Sequence, residues 1–291
     1  MAIWNLGSIN ADMVYAVPHL PRPGETLAAT ELSHFLGGKG ANMSVAAARA
    51  GATVHHIGAV GPDGRWTVGR LADYGVDTEH VAQVTVPTGH AIIAVEETGE
   101  NLIVLFPGAN QEIAVEQLEQ ALAGAKAGDL LVMQNETNAQ VEAAQMGRER
   151  GLKVCYAAAP FDAEAVSALL PHLDFLILNE VEAEQLQQAT GLAPSELPVA
   201  QVIVTLGSKG VRYFDSDTGE SQEFPAYKVK AVDTTGAGDT FTGYVLAGMD
   251  QGMSMPQAID LAMRAAAIMV TRHGTADVIP LLDDVRQARL G

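Results

Sequence analysis

The stretch from Ala231 to Tyr244, AVDTTGAGDTFTGY, carries the residue types and spacing best suited to chemistry. Gly236, Ala237 and Gly238 stand at the entrance of a small-residue, helix-compatible run, and Asp239 follows at once. Glycines at a helix entrance let backbone N–H groups converge on an anion, and the helix dipole adds roughly half a positive charge there. A purely structural carboxylate gains little from facing a phosphate. A base that accepts a hydroxyl proton during phosphoryl transfer belongs in that position. Read alone, GAGD also suits an ordinary helix start, where the dipole favours an aspartate.

The elements able to hold this stretch follow a regular rhythm. The helix AVEQLEQALAGAK leads to strand DLLVMQ, and a helix near Asn138 to Arg150 leads to strand LKVCYAA. A helix near Ala163 to Leu170 then leads to strand DFLILN, and EVEAEQLQQATG to strand QVIVTLG. Helices alternating with apolar, β-branched runs predict crossover units and a parallel sheet covered on both faces. In such sheets ligands bind beyond the carboxyl ends of the strands. Those ends carry Asn135 and Glu136, Asn179 and Glu182, and Gly207 to Gly210.

Upstream, AIWNLGSIN reads as one buried strand, TVHHIGAVG as another, and GRWTVGRLADYG as a helix closed by Gly75. Irregular β material falls in two places. One is Asp12 to Phe35, punctuated by Pro18, Pro21, Pro23 and Gly24; the other is Gly89 to Phe106, where Thr98-Gly99-Glu100 turns a hairpin. Downstream, VRYFDSDTGESQEF is a second hairpin and PAYKVKAVD a short β-type run feeding the glycine turn. Helices near Thr240 to Gln251 and Pro256 to Thr271 and a terminal helix complete the chain. The expectation is one α/β domain over residues 1–291, with a small β excursion from about 12–36 and 89–107 that covers the active site as a lid.

Composition narrows the function. The net charge of −18 argues against nucleic acid, whose binding rests on cationic contacts to phosphate. A nucleotide is still admissible, since backbone amides bind anions inside an acidic protein. No apolar run reaches the ~18 residues of a membrane span, and MAIWNLGSIN has no secretory pattern. Cys155 is the single cysteine, so no internal disulfide forms and a cytoplasmic setting is expected. Only Gly7 follows the first strand, so the dinucleotide fingerprint is missing. His55 and His56, as neighbours on a strand, face opposite sides and do not make a shared metal site. Lys39 does not belong to a Walker A loop: Gly40 stands where Ser or Thr is needed and Ser33 where the first Gly belongs.

GSINAD, then GGKGAN with its alanine-rich helix, LNEVEAE, TLGSKG and VDTTGAGDTFTGY occur in the order and spacing of one family. The chain resembles the ribokinase-like, or phosphofructokinase B, family of carbohydrate kinases over nearly its whole length. The resemblance implies a three-layer α/β/α sandwich with a mostly parallel central sheet and a β-sheet lid, often a homodimer joined through the lids. It implies transfer of the γ-phosphate of ATP to a primary hydroxyl of a small sugar, D-ribose foremost, with another pentose, a ketohexose or a nucleoside as alternatives. A non-catalytic sugar or nucleotide sensor is the alternative of another class, and it would not need Asp239.

Carried over residue by residue, Asn10, Asp12, Gly38, Lys39, Asn42 and Glu136 match the family's sugar contacts. Asn179 and Glu182 match the segment near the phosphates and Mg²⁺; N-E-V-E is equally a capping box, and the two readings are compatible. Thr205, Gly207, Ser208 and Gly210 match the ATP loop, and Met263 stands beside the adenine position. Gly236, Ala237 and Gly238 match the anion hole and Asp239 the catalytic base, an aspartate expected at its ordinary pKa of ~3.9. Asp233, Thr235, Met269, Arg272 and Gly274 match a site for a monovalent cation, usually K⁺. Four departures stand out: Ala157-Ala158-Ala159-Pro160 replaces a common Asn-Pro-Ala-Pro, Met263 replaces a His or Asn, Val278 replaces a small polar residue, and LAPSELPVAQ replaces an extra helix.

Overall fold

The computed structural model describes residues 1–290. The chain opens with β1 (Ile3–Leu6), β2 (Asn10–Val17), β3 (Glu31–Gly37) and α1 (Lys39–Arg49). Next come β4 (Val54–Val60), α2 (Arg65–Asp73), β5 (Val81–Gln83), β6 (Gly89–Glu96) and β7 (Asn101–Phe106). The alternating part runs α3 (Val115–Leu122), β8 (Leu130–Gln134), α4 (Gln140–Glu149), β9 (Lys153–Ala157), α5 (Ala163–Leu169), β10 (Phe175–Asn179), α6 (Glu180–Thr190) and β11 (Gln201–Thr205). The hairpin of β12 (Val211–Asp215) and β13 (Glu220–Phe224) is followed by α7 (Ala237–Asp250), α8 (Met255–Met269) and α9 (Leu282–Gln287).

A nine-stranded sheet has the order β13-β12-β11-β10-β9-β8-β1-β4-β5. It is parallel except where β12 and β13 turn back at one edge. The period of two along its strands sorts side chains into two cores. Ile3, Leu130, Val132, Phe175 and Ile177 pack with Val45 of α1, Phe241 of α7, Ile259 of α8 and Val285 of α9. Trp4, Leu6, Leu131, Met133, Leu176 and Leu178 pack with Leu118 of α3, Ala143 of α4, Val166 of α5 and Leu186 of α6. Those two helix layers with the sheet between them make the three-layer α/β/α sandwich. No helix among the described residues is long and apolar enough to cross a membrane.

A separate four-stranded sheet has the order β3-β2-β6-β7. Its middle pair, β2 and β6, is parallel, and the outer pairs are antiparallel. Two expectations need correction. AIWNLGSIN is not one strand: β1 ends at Leu6 in the large sheet, and Asn10 opens β2 in the small one. The break lies at Gly7, which approaches α1 too closely for a side chain. PAYKVKAVD forms no strand, because it has no ladder to join. It is tied to the body by Tyr227, whose hydroxyl donates to Asp260 Oδ1 at 2.6 Å, and at its end by the Val232 and Asp233 amides.

Candidate active site

The site is built where the two sheets meet, around the start of α1. Gly38 caps this helix at φ 95°, a conformation in which a Cβ would lie 2.9 Å from the Ser8 carbonyl oxygen. Two residues on, Gly40 crosses Gly7: a Cβ on Gly7 would sit 2.6 Å from Gly40 Cα, and one on Gly40 2.5 Å from the Gly7 carbonyl carbon. The GGKG run therefore lets the first turn of α1 lie directly on the end of β1. Lys39 and Asn42 follow from that placement.

Across the cleft, Gly236 caps α7 at φ 73°, and Asp239 lies in its first turn. Gly243 lets α7 lie tightly against α1, since a Cβ there would be 2.6 Å from the Met43 carbonyl oxygen. That contact brings Asn42 to the aspartate, where its Nδ2 donates to Asp239 Oδ2 at 2.8 Å. Asp239 is only 7% exposed. Burial raises its pKa above the ordinary value, opposed by the Lys39 ammonium and the Asn42 hydrogen bond. An aspartate of ordinary basicity is thus corrected to a stronger base, because a buried carboxylate has lost its hydration.

The small sheet contributes the opposite wall. Asn10 opens β2, and its Oδ1 accepts from Asn110 Nδ2 at 2.8 Å, while Asn110 Oδ1 accepts from the Ile9 amide at 2.9 Å. The Asp12 carboxyl folds over Gly37, where a Cβ would lie 2.5 Å from its Oδ1. Glu136, just beyond β8, accepts from the Ser8 hydroxyl and from the Lys39 amide at 3.0 Å. Burial, with Glu136 nearby, pushes Asp12 up to about 7. Burial also raises Glu136 and Glu182. The Lys39 ammonium is held charged chiefly by Asp239, then by Glu136 and Glu182.

The residues matched to the nucleotide form a second group. Asn179 and Glu182 make the full capping box of α6, with Asn179 N–H donating to Glu182 Oε2 at 2.8 Å and Glu182 N–H to Asn179 Oδ1 at 2.9 Å. Asn179 pairs across the sheet with Thr205, so the ends of β10 and β11 lie side by side. Gly207 and Ser208 are exposed on a short turn, and Gly210 at φ 113° leaves room for the Ala226 amide 2.9 Å from a would-be Cβ. Met263 is buried in the α8 core.

The third group gathers at the end of α8. Asp233 accepts from the Thr235 amide at 2.9 Å and from the Gly274 amide at 3.2 Å. The Val270 carbonyl accepts from the Val232 and Asp233 amides at 2.7 and 3.2 Å. Met269 accepts through sulfur from the Thr240 hydroxyl, and Arg272 donates to the Val278 carbonyl at 3.0 Å. A carboxylate and the turn carrying Arg272 and Gly274 are thereby brought together. Elsewhere, Asn135 holds the Ala157–Pro160 segment, donating its backbone amide to the Ala159 carbonyl at 3.1 Å and its side chain to the Pro160 carbonyl at 2.9 Å. No cluster of three His, Cys, Asp or Glu poised for a metal occurs among the described residues. His55 instead pairs with Asp77 at 2.8 Å and stacks on Trp4, while His56 is buried beneath α1.

The sequence matches the model of the pfkB family carbohydrate kinase over residues 3–282. The chain belongs to that family. It is 40% identical to the ribokinase of Haemophilus influenzae, over 94% of each chain. Among solved structures it is similar to a ribokinase from Thermotoga maritima, at 34% identity and a TM-score of 0.86 over 98% of each chain. It is also similar to the Arabidopsis thaliana ribokinase complexed with ribose and ATP, at 28% identity and a TM-score of 0.83, covering 99% of this chain and 98% of that one. The chain is an enzyme of the carbohydrate-kinase class.

Sequence reasoning missed Ser8 and Asn110, which hold Glu136 and Asn10. It also missed Asn5, Ser44, His56 and Gln134, a buried polar chain under α1. Their signal was faint but present: polar residues at positions where a central strand or tight helix should be apolar.

Proposed function

We propose that the chain is a ribokinase, transferring the γ-phosphoryl group of ATP to the primary hydroxyl of D-ribose. The observation that carries this reading is the pairing of buried Asp239 with Asn42 at 2.8 Å, behind the Gly236 turn and facing Lys39. Asn10, Asp12, Gly38, Lys39, Asn42 and Glu136 line the sugar side, offering the mixed donors and acceptors that a polyol needs. Asp239 takes the proton of the primary hydroxyl as that oxygen bonds to the γ-phosphorus and the bond to the β-phosphate oxygen breaks, releasing ADP. The amides at Gly236, Ala237 and Gly238 and the Lys39 ammonium stabilise the charge spreading over the phosphoryl oxygens. Because the Asp239 carboxylate is already desolvated, it accepts that proton without first shedding water.

Thr205, Gly207, Ser208, Gly210 and Met263 belong to the ATP side, and Asn179 and Glu182 to the phosphates and Mg²⁺. Glu182 keeps unused carboxylate lone pairs beyond its cap bond, so the donor set fits a hydrated divalent ion, which supplies charge neutralisation when bound. Asp233, Thr235 and the carbonyls at Met269, Arg272 and Gly274 suit a monovalent cation, K⁺ first, whose charge would hold this loop against the anion turn. The four-stranded sheet acts as a lid of a single domain. Its exposed Ile103 (56%) and Leu105 (50%), two apart on β7, support a homodimer joined through the lids. A cytoplasmic setting agrees with the single, buried Cys155.

The test is ADP release by the purified protein with Mg-ATP and KCl against ribose, 2-deoxyribose, other pentoses, ketohexoses and nucleosides. Ribose-selective, saturable turnover is expected, and Asp239→Asn lowers kcat by roughly 10²–10⁴-fold while ribose still binds in calorimetry. Near-normal turnover of that variant, or preference for another acceptor, would overturn the assignment.

A further inference from the structure

Three neighbouring central strands each place a polar side chain on the core face beneath α1. Asn5 of β1 stands directly beside His56 of β4, and Gln134 ends β8 on the other side of β1. All three are buried, in a layer otherwise made largely of hydrophobic side chains. Burying such groups costs free energy unless each finds a partner, and here they join into a single directed chain. Gln134 Nε2 donates to Asn5 Oδ1 at 2.9 Å. Asn5 Nδ2 donates to the Gly40 carbonyl at 2.8 Å and to Ser44 Oγ at 2.7 Å. The Ser44 hydroxyl meets His56 Nδ1 at 2.8 Å, and His56 Nε2 meets the Gly7 carbonyl at 3.0 Å.

The directions are forced from one end. The Gly7 carbonyl can only accept, so in neutral imidazole Nε2 is the donor and His56 Nδ1 accepts from the Ser44 hydroxyl, whose Oγ in turn accepts from Asn5 Nδ2. Burial agrees with this neutral form, holding the His56 pKa down to about 4. The chain therefore ends on two carbonyls, those of Gly7 and Gly40, the residues whose backbones cross at the start of α1. Lys39 precedes Gly40, and Asn42 follows two residues later. Gln134 is two residues before Glu136, which binds the Lys39 amide.

We infer that His56, acting through Ser44 and Asn5, is a positioning residue for phosphoryl transfer that sets Lys39 and Asn42 against Asp239. This rests on the kinase reading above, in which Asp239 takes the hydroxyl proton. Loss of the chain lets the first turn of α1 shift, and a misplacement of ~1 Å costs up to about 10²-fold in rate. The charged groups facing Asp239 are Lys39, Glu136 and Glu182. Lys39 and Asn42 hold its pKa down, so their retreat lets it rise.

The test uses His56→Phe, which fills the ring volume without hydrogen bonds, beside His56→Gln, whose amide keeps a donor at the Nε2 position. Rates are measured with Mg-ATP and ribose from pH 5 to 9, well below each variant's melting temperature. His56→Phe is expected to lower kcat by about 10- to 100-fold and move the acidic limb of kcat/KM to higher pH. His56→Gln is expected to recover most of the rate and return the limb. Loss of folded protein alone would scale the whole profile and leave its limb in place, and that result overturns the inference. A wild-type rate and limb in His56→Phe also overturns it while leaving the kinase reading intact. Absence of turnover in the wild type would instead overturn the kinase reading itself.

Discussion

Replacing Gly40 with alanine tests whether the backbone crossing at the end of β1 holds the active site together. The new methyl carbon would lie 2.5 Å from the Gly7 carbonyl carbon, against ordinary contact from 3.4 Å, so the two backbones must part by roughly 0.9 Å. Neither side can yield as a flexible side chain would. Gly7 directly follows a strand flanked by β4 and β8, and Gly40 lies in the first turn of a helix packed on α7. Overpacking of this kind costs ~1–3 kcal/mol, and the backbone character of both partners places Gly40→Ala near ~3 kcal/mol. The same displacement carries Lys39 and Asn42 away from Asp239, for which a further loss of about 10²-fold in kcat/KM is expected. Gly69, exposed in the middle of α2 with nothing near its missing Cβ, is the control. Gly69→Ala should gain ~0.5–1 kcal/mol and keep full activity. Urea unfolding followed by circular dichroism reads the stabilities, and ADP release the rates. A Gly40→Ala protein with wild-type midpoint and turnover would refute the claim that this crossing positions the site.

Three further outcomes are expected. Asp12 is raised to about 7 in the folded protein, so folding is favoured by its protonated form, and its contribution worsens as pH rises from ~4 through ~7. Asp12→Asn should therefore raise the melting temperature at pH 8 by a few degrees, on the order of 1 kcal/mol for a partly solvated group, give no gain near pH 3, and raise KM for the sugar. Lysines at Ile103 and Leu105, exposed on one face of β7, should convert a dimer to a monomer in light scattering; an unchanged mass would refute dimerisation through the lids. Asp233→Asn should weaken activation by KCl more than it changes KM for ribose, read as the KCl concentration giving half-maximal rate.

The parts legible in the sequence were those governed by local rules. Apolar, β-branched runs alternating with helices gave the parallel sheet covered on both faces, because a strand buried on both sides reads as a continuous apolar run. The N-E-V-E segment reads as a capping box from its spacing and forms one at Asn179 and Glu182. Where distant segments decide, the sequence was silent. The parallel pairing of β2 with β6 joins Asn10 to Gly89, and nothing local to either announces it. Asn110 looked like the end of a loop, yet it holds Asn10 from 100 residues away. PAYKVKAVD has strand-like residues and remains unpaired, since pairing needs a free edge in the right place. His55 and His56 read as an unremarkable pair, and only the fold shows that one stacks on the buried Trp4 while the other bonds Ser44 beneath α1.

The charge pattern of the cleft bears on which substrates it accepts. Asp239, Glu136 and Glu182 face a single ammonium, that of Lys39, and Asp12 lies near Glu136. Where these carboxyls are ionised they repel an anion. Burial, by raising their pKa values, weakens that repulsion as protons are taken up, so a sugar that already carries a phosphate would be disfavoured above the raised pKa range. A neutral polyol meets hydrogen-bond acceptors instead, and its hydroxyls return part of the hydration those carboxyls lost. On the proposed reading, nucleotide phosphates would lie on the other side of Lys39, where the α7 amides and a divalent ion held near Asn179 and Glu182 would oppose their charge. The product differs from its precursor by a phosphate newly attached on the sugar side of that boundary. On the proposed reading, the same carboxyls that accept hydrogen bonds from the neutral sugar would, when ionised, favour departure of its phosphate, so selection of substrate and release of product would arise from one electrostatic asymmetry.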